Sequence, residues 1–446
     1  MIKKLIIVLG VIIPTLVSAQ DTSTYRFSLA QSVDFSFKNH SSVVNAQIDE
    51  IVAKAQKNEI RGIGLPQING SVDFKDFIEL ATQLVPAEFF GGQPGEFAAV
   101  QFGTQYNTTA SLEASQLLFS GDYLVALQSS STFLELSKKN TQRTKIETAL
   151  AISKAYYNVL VQQERMKLIN ANVDRIKKLH DETFVMHDKG IVEKIDLDRV
   201  KVAYNNITTE KGKFEKLLIL SYTMLKFQMG MDPAAKLILT DSLTEDGLEV
   251  PKSQISDFNF SSRIEYSILE TRQQLSNLEL RKHRLGYTPT LIAYGSYSWQ
   301  AQRNEFNFFD SNEKWFPIGV VGVKLTLPIF DGLQRNYRIQ QSKLSIQKVD
   351  NDIKLLEDAI TVELQSANIK LENSMASIAN QKENMALAEG VYEAVKRKYE
   401  LGTGSSIEVM DAETTLKEAQ TNYYAALYDA LVAKIELEKA KGTLIK

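Results

Sequence analysis

Between Gln334 and Leu401 apolar residues recur at Ile346, Val349, Ile353, Leu356, Ile360, Leu364, Ala367, Leu371, Met375 and Ile378, in steps of three or four that average about 3.56. That spacing lies between the 3.5 of a left-handed supercoil and the 3.67 of an eleven-residue repeat, so it predicts a long helix packed along its whole length with little supercoiling. The segment holds no proline, and its one internal glycine is Gly390. About 65 residues at 1.5 Å each would run about 100 Å, against a mean of about 11–12 residues for helices of globular proteins. The span from Gly121 to Lys189 has the same character, with Ile146, Ala149, Leu150, Tyr156, Tyr157, Leu160 and Val161 in its middle.

Two other regions change period from 3.6 to 2. Ile68, Val72 and Phe74 face one way while Asn69, Ser71, Asp73 and Lys75 face the other; Val321, Val323, Leu325 and Leu327 oppose Gly322, Lys324 and Thr326. Each strand therefore has one apolar and one mostly polar face. The connections inside these β pairs, LATQLVPAEFFGGQPGEFAAV and AQRNEFNFFDSNEKWFPI, are rich in Gly, Pro and aromatics, as loops at a barrel mouth or membrane interface would be.

The order of these elements occurs twice. Arg61-Gly62-Ile63-Gly64-Leu65-Pro66 leads into the first β pair and Arg284-Leu285-Gly286-Tyr287-Thr288-Pro289 into the second; Leu117-Leu118-Phe119-Ser120-Gly121 and Leu327-Pro328-Ile329-Phe330-Asp331-Gly332 close them. MHDKGIVEKIDLDRVKV (186–202) is then answered by LGTGSSIEVMDAETTL (401–416). This predicts a repeat over 20–252 (helix, β pair 66–119, long helices 121–230, linker 231–252) and another over 253–446 (helix, β pair 287–330, long helices 332–443).

Residues 1–19 carry Lys3 and Lys4, an apolar run and a Val17-Ser18-Ala19 cleavage pattern, which predicts a secretory signal peptide. Beyond it no apolar run reaches the ~18–20 residues of a spanning helix, whereas alternating strands of about 10 residues suffice for a β-barrel. Four strands would leave two open edges, which lipid does not tolerate. Homo-oligomerisation removes them, and three copies would supply twelve strands, an even number within the bacterial range.

The balance of 51 Lys+Arg against 54 Asp+Glu advertises no basic face, so no nucleic-acid partner is expected. With no cysteine and four histidines, neither a disulfide framework nor a catalytic constellation can be assembled, and the chain reads as a non-enzyme without cofactor. Gly402-Thr403-Gly404 follows a helix and lacks a subsequent lysine, so it reads as a helix-to-helix turn and not a phosphate cradle, with Gly402 as C-cap and Ser405 or Ser406 as the next N-cap. Glu408 stands at capping-box spacing from Ser405. Glu408 and Asp411, three apart, share a helix face; on spacing alone they are a solvated acidic first turn. His180, His187 and Asp188 lack the i, i+4 pair of a helical zinc site, and no metal is expected there.

Tyr399-Glu400-Leu401-Gly402-Thr403-Gly404, then Ile407-Glu408-Val409-Met410-Asp411-Ala412-Glu413-Thr414-Thr415-Leu416, and the closing Lys441-Gly442-Thr443-Leu444 resemble the TolC family of outer-membrane channel-tunnel proteins. The echo Gly190-Ile191-Val192 followed by Ile195-Asp196-Leu197 resembles that family's other helix turn. The resemblance implies a mainly α fold with a membrane β-barrel: a homotrimer in which four strands per chain form a 12-stranded barrel in outer-membrane lipid, above a long periplasmic α-helical barrel. It further implies the passive exit duct of a tripartite efflux pump, partnered by a periplasmic adaptor and an inner-membrane pump of RND or ABC type. A duct for type I protein secretion shares these features, and a structural trimeric coiled-coil surface protein is the reading from another class. By resemblance Glu408 and Asp411 match acidic rings at the periplasmic constriction, and Tyr399 and Asp196 match a latch between neighbouring coiled coils. Gly190, Ile191, Val192, Gly402, Thr403, Gly404 and Ser405 match the adaptor-docking turns. The sequence departs from the pattern at Gly404, where an arginine forms a further closing contact; a looser closed state is expected, supplemented by Lys189, Lys194 or Arg199.

Overall fold

The computed structural model describes residues 24–244 and 258–445; the expected signal peptide, 1–19, lies outside the described residues. In chain order the elements are β1 (Thr24–Phe27), α1 (Leu29–Asn39), α2 (Ser41–Ile63), β2 (Gln67–Asp76), β3 (Thr82–Pro86), β4 (Phe97–Gln101), β5 (Tyr106–Phe119), α3 (Gly121–Asp188), α4 (Lys194–Met229), β6 (Lys236–Leu239), α5 (Ile264–Leu285), β7 (Thr290–Arg303), β8 (Phe316–Thr326), α6 (Gln334–Glu400) and α7 (Ser406–Lys441).

The long helices correspond in length between the two halves of the chain. Helix α3 has 68 residues and α6 has 67, while α4 and α7 have 36 each. All ten residues of the predicted α6 stripe are buried or half-buried, and the residues beside them alternate with exposed ones. Both shorter helices end the same way: Gly230 and Gly442 adopt φ of +68° and +74°, and the next residue's N–H reaches back to the carbonyls of Lys226 and Glu438 at 2.9 Å. This satisfies end carbonyls that the helix itself leaves unpaired.

The chain divides into two compact units, one of residues 1–44, 145–255 and 363–446, the other of 45–144 and 256–362. Each takes segments from both sequence repeats. In the second unit β2, β5, β7 and β8 form one antiparallel sheet in that order. Along its registered pairs Ile68–Ala114–Gly295–Val321 and Gly70–Leu112–Tyr297–Gly319 lie on one face. Asn69–Glu113–Ser296–Val320 and Ser71–Ser111–Ser298–Ile318 lie on the other. The predicted alternation holds across the sheet except in the outer half of β8, and Val72, Val321, Val323 and Leu325 on the apolar face are exposed. Tyr297 and Trp299 stack edge-on at 4.8 Å near its outer end, and Phe74, Tyr106, Phe306 and Phe308 cluster there, as an interfacial aromatic girdle does.

The connection 77–105, expected as a loop, contains a separate hairpin in which β3 pairs only with β4. Residues 231–252, expected as a linker, hold β6 in their described part. β6 lies parallel to β1, and Leu237 and Leu239 join a core of the first unit with Ile152, Tyr156, Val159 and Leu160 of α3 and Leu225 and Met229 of α4. Such four-residue strands escape a periodicity reading because each offers only two inward positions.

Candidate functional site

The two five-residue turns, 189–193 and 401–405, are built alike from glycine. Gly190 and Gly402 take φ of +71° and +74°. Their N–H groups donate to His187 O and Tyr399 O, both at 2.9 Å. Ile191 N–H donates to Met186 O at 2.8 Å and Thr403 N–H to Lys398 O at 2.9 Å. The arrangement is a Schellman cap in each case, and an alanine in that left-handed conformation would cost about 1–2 kcal/mol.

The helix that follows each turn starts differently. Ser405 caps α7, its Oγ accepting from Glu408 N–H at 3.3 Å; Ser405→Ala is expected to lose about 1 kcal/mol of local stability, read as faster amide exchange in the first turn of α7. Glu193 precedes α4 without a side-chain cap; His187 fastens that turn instead, its Nδ1–H donating to Val192 O at 3.1 Å. Ser406 is buried and donates from Oγ to Asp196 Oδ1 at 3.0 Å, tying α7 to α4. Asp196 also meets Arg199 Nη1 at 3.3 Å.

Tyr399 is only 4 % exposed. Its hydroxyl lies 2.8 Å from Thr183 Oγ1, and because that threonine donates its own proton to Leu179 O at 2.7 Å, the tyrosine is the donor. Tyr399 and Asp196 thus bond to separate partners within the chain, one joining α6 to α3 and the other joining α4 to α7. Tyr399→Phe keeps the ring in the core of Leu179, Val200, Val409, Ala412 and Leu416 but leaves a buried threonine short of one partner. The expected loss is about 1 kcal/mol, seen as earlier local opening of the tip in hydrogen exchange.

Gly404 lies against the end of α6. A Cβ there would stand 3.1 Å from Tyr399 N and 3.2 Å from Lys398 C and Cβ, and two of those atoms are backbone that cannot swing aside. Any side chain at 404, arginine included, presses on the cap before it reaches a neighbour.

Glu408 and Asp411 are exposed on α7, in line with exposed Thr415, Glu418 and Asn422 at steps of 3, 4, 3 and 4. The opposite face carries a group that sequence reasoning missed. Glu413, 5 % exposed, receives Arg175 Nε at 3.0 and 3.3 Å. Arg175 also donates to Asn172 Oδ1 and lies 5.4 Å from the centroid of Tyr392. Burial pushes the Glu413 pKa up while Arg175 opposes the shift. Burial and then the Glu413 charge push Tyr392 up to about 12. The signal was present: Glu413 falls within the buried run Val409, Ala412, Leu416, where an unpaired carboxylate would not persist.

His180 meets Asp181 at 3.2 Å and stacks on Tyr204 at 6.0 Å. Among the described residues no group of three or more His, Cys, Asp or Glu is placed to hold a metal ion, and no helix is long and apolar enough to cross a membrane.

Residues 268–443 match the family model described as outer membrane efflux protein. Outer membrane protein TolC of Vibrio cholerae is 20 % identical over 75 % of this chain and 77 % of its own length. TolC of Escherichia coli is 23 % identical over 76 % of this chain and 70 % of its own. The solved outer membrane protein VceC of Vibrio cholerae superposes with a TM-score of 0.70 at 14 % identity, covering 93 % of this chain and 96 % of its own. The chain is similar to the TolC outer membrane proteins in sequence over most of its length and to solved outer-membrane channels in fold. Its fold is that of the solved outer-membrane channels, mainly helical with a β-barrel sector in the outer membrane and a long periplasmic helical part. The expected fold class and location are therefore met. Within the sharpest motif, Gly402, Ser405, Val409, Ala412 and Leu416 turn the chain and seat α7 in its own unit.

Proposed function

We propose that the chain is the passive outer-membrane exit duct of a tripartite efflux pump and works as a homotrimer. The observation that carries this is a four-stranded sheet with one apolar face and both edges unpaired, continuous in sequence with helices of 68 and 67 residues. Edge strand β8 runs antiparallel to edge strand β2, so copies join edge to edge without breaking the alternation, and three give twelve strands with no free edge. Helices α2 and α6, which adjoin those edge strands in sequence, carry exposed Ile48, Ile51 and Val52 and exposed Leu344, Leu355 and Val362. These are apolar stripes suited to a second copy.

Three-fold repetition would bring six carboxylates, Glu408 and Asp411 of each copy, around one axis as a cation-attracting constriction. Thr183–Tyr399 and Ser406–Asp196 fasten the four helix ends within each chain, and Arg199 braces Asp196. In this reading the 1–19 leader is removed and the repeats 20–252 and 253–446 each furnish two strands and two long helices. Substrate movement is driven elsewhere, by an inner-membrane pump of RND or ABC type. Its periplasmic adaptor docks on Gly190, Ile191 and Val192 and on Gly402, Thr403, Gly404 and Ser405. The chain performs no catalysis of its own.

A photo-crosslinking residue at exposed Thr403, introduced in cells, is expected to yield an adduct with a periplasmic membrane-fusion adaptor, while the same residue at Val72 is expected to yield none. Adducts from Thr403 confined to copies of the chain itself would contradict the pump assignment.

A further inference from the structure

One region of the sheet departs from the alternation. The face that is polar along β2, β5 and most of β7 is apolar in the outer half of β8, where Phe316, Ile318 and Val320 stand in register with Gln300, Ser298 and Ser296. All three are exposed, Phe316 by 61 %. Three large apolar side chains in a row on a water-facing surface are costly to leave uncovered.

A second uncovered apolar surface hangs from the other edge of the same sheet. The β3–β4 hairpin leaves β2 at Asp76 and returns to β5 at Tyr106. Its registered pairs Leu84–Ala99 and Pro86–Phe97 share one face, with Leu84 exposed by 69 % and Phe97 by 67 %. Backbone hydrogen bonds tie the hairpin to itself and close its base at Phe77–Gln105. A two-stranded ribbon on its own is at best marginally stable in water, so this one needs a cover. The opposite face of its own sheet is already taken at the outer end, where the β7–β8 loop lays Phe306 and Phe308 on Phe74.

Within one chain β2 and β8 are separated by β5 and β7. In a closed ring of copies they are neighbours, about 4.8 Å apart. We propose that the β3–β4 hairpin of one copy folds over the outer mouth and seats Leu84, Pro86 and Phe97 on Phe316, Ile318 and Val320 of the adjacent copy, narrowing the exit. The inference rests on the homotrimeric barrel reading above. The occupant is a second copy of this chain because the two apolar surfaces flank the edges that copies must join. Segment 77–105 also contains Glu79, Glu88 and Glu96 and no Lys or Arg, which disfavours an anionic lipid headgroup as the cover.

The absence of native cysteine makes disulfide trapping clean. Leu84→Cys is combined in turn with Phe316→Cys, Ile318→Cys and Val320→Cys, and purified detergent particles are oxidised after their mass is measured. At least one pair is expected to link chains to one another, with none of the single variants doing so. Replacing residues 79–103 by a four-residue Gly/Ser turn is expected to raise single-channel conductance roughly twofold, as removal of a constriction does. Three-chain particles that form no inter-chain disulfide with any of the three pairs, and whose conductance is unchanged by the shortening, would overturn the mouth proposal while leaving the duct intact. Particles of one chain would overturn both.

Discussion

Replacing Arg175 by methionine is expected to destabilise the turn end of α3 and α7 by about 3–5 kcal/mol, the usual cost of leaving one member of a buried ion pair alone. Glu413 lies on the buried side of α7 and its direct ionic partner is Arg175; Lys396 and Lys417 act on it through charge alone. The predicted pH dependence has a definite sign. Burial already holds the folded-state pKa of Glu413 above that of an ordinary glutamate, against the pull of Arg175. The folded chain therefore binds this proton more readily than the unfolded chain does, and stability declines as pH rises from the ordinary glutamate range through the raised value. Without the guanidinium the raised value climbs further and the window widens. Arg175→Met should accordingly recover part of its loss at pH 5 relative to pH 7.5, and Arg175→Met with Glu413→Met should recover most of it at both. Hydrogen exchange of α3 and α7 amides near these residues is the appropriate readout, because a chain with two compact units need not unfold in one step.

The double change Glu408→Gln, Asp411→Asn is expected to cut cation preference at a cost of at most about 1 kcal/mol in stability, since both side chains are exposed and only the favourable charge at the α7 N-terminus is lost. A carboxylate about 10 Å from the pore axis contributes about 0.4 kcal/mol to a monovalent cation there in water. Six would give about 2.5 kcal/mol unscreened, and about 1 kcal/mol at 0.1 M salt, where the Debye length is about 10 Å. That corresponds to about a fivefold change for the cation and, because an anion is disfavoured by the same energy, roughly a thirtyfold change in the cation-to-anion permeability ratio, fading at 1 M salt as the Debye length shrinks to about 3 Å. Block by a multivalent cation added from the helix-turn side should weaken in the same variant. An unchanged ratio in 0.1 M salt would place these carboxylates away from the conduction path.

The long helices and the sheet were legible because each depends on a period repeated many times. Ten stripe positions on α6 and the alternation of Ile68, Val72 and Phe74 leave little room for another assignment. Gly402 as a cap and a following N-cap at Ser405 or Ser406 were legible because turn chemistry is local, and the structure assigns that N-cap to Ser405. Contacts between residues far apart in sequence were not. Nothing near Thr183 points to Tyr399, 216 residues away, and nothing near Arg175 points to Glu413, 238 residues away. Strand β6 was hidden by its length and the β3–β4 hairpin by its turn-rich composition. The effect of an arginine at Gly404 likewise depends on backbone proximity, since the atoms it would press on become neighbours only once α6 is capped.

The most direct test of the central claim is the mass and conductance of the purified mature chain, extracted in detergent and added to one side of a planar bilayer. Particles of three chains are expected that insert without a partner protein, open cation-preferring channels, and lose that preference in the Glu408→Gln, Asp411→Asn variant. A chain that stays soluble without detergent as a monomer, and adds no conductance to the bilayer, would contradict that claim.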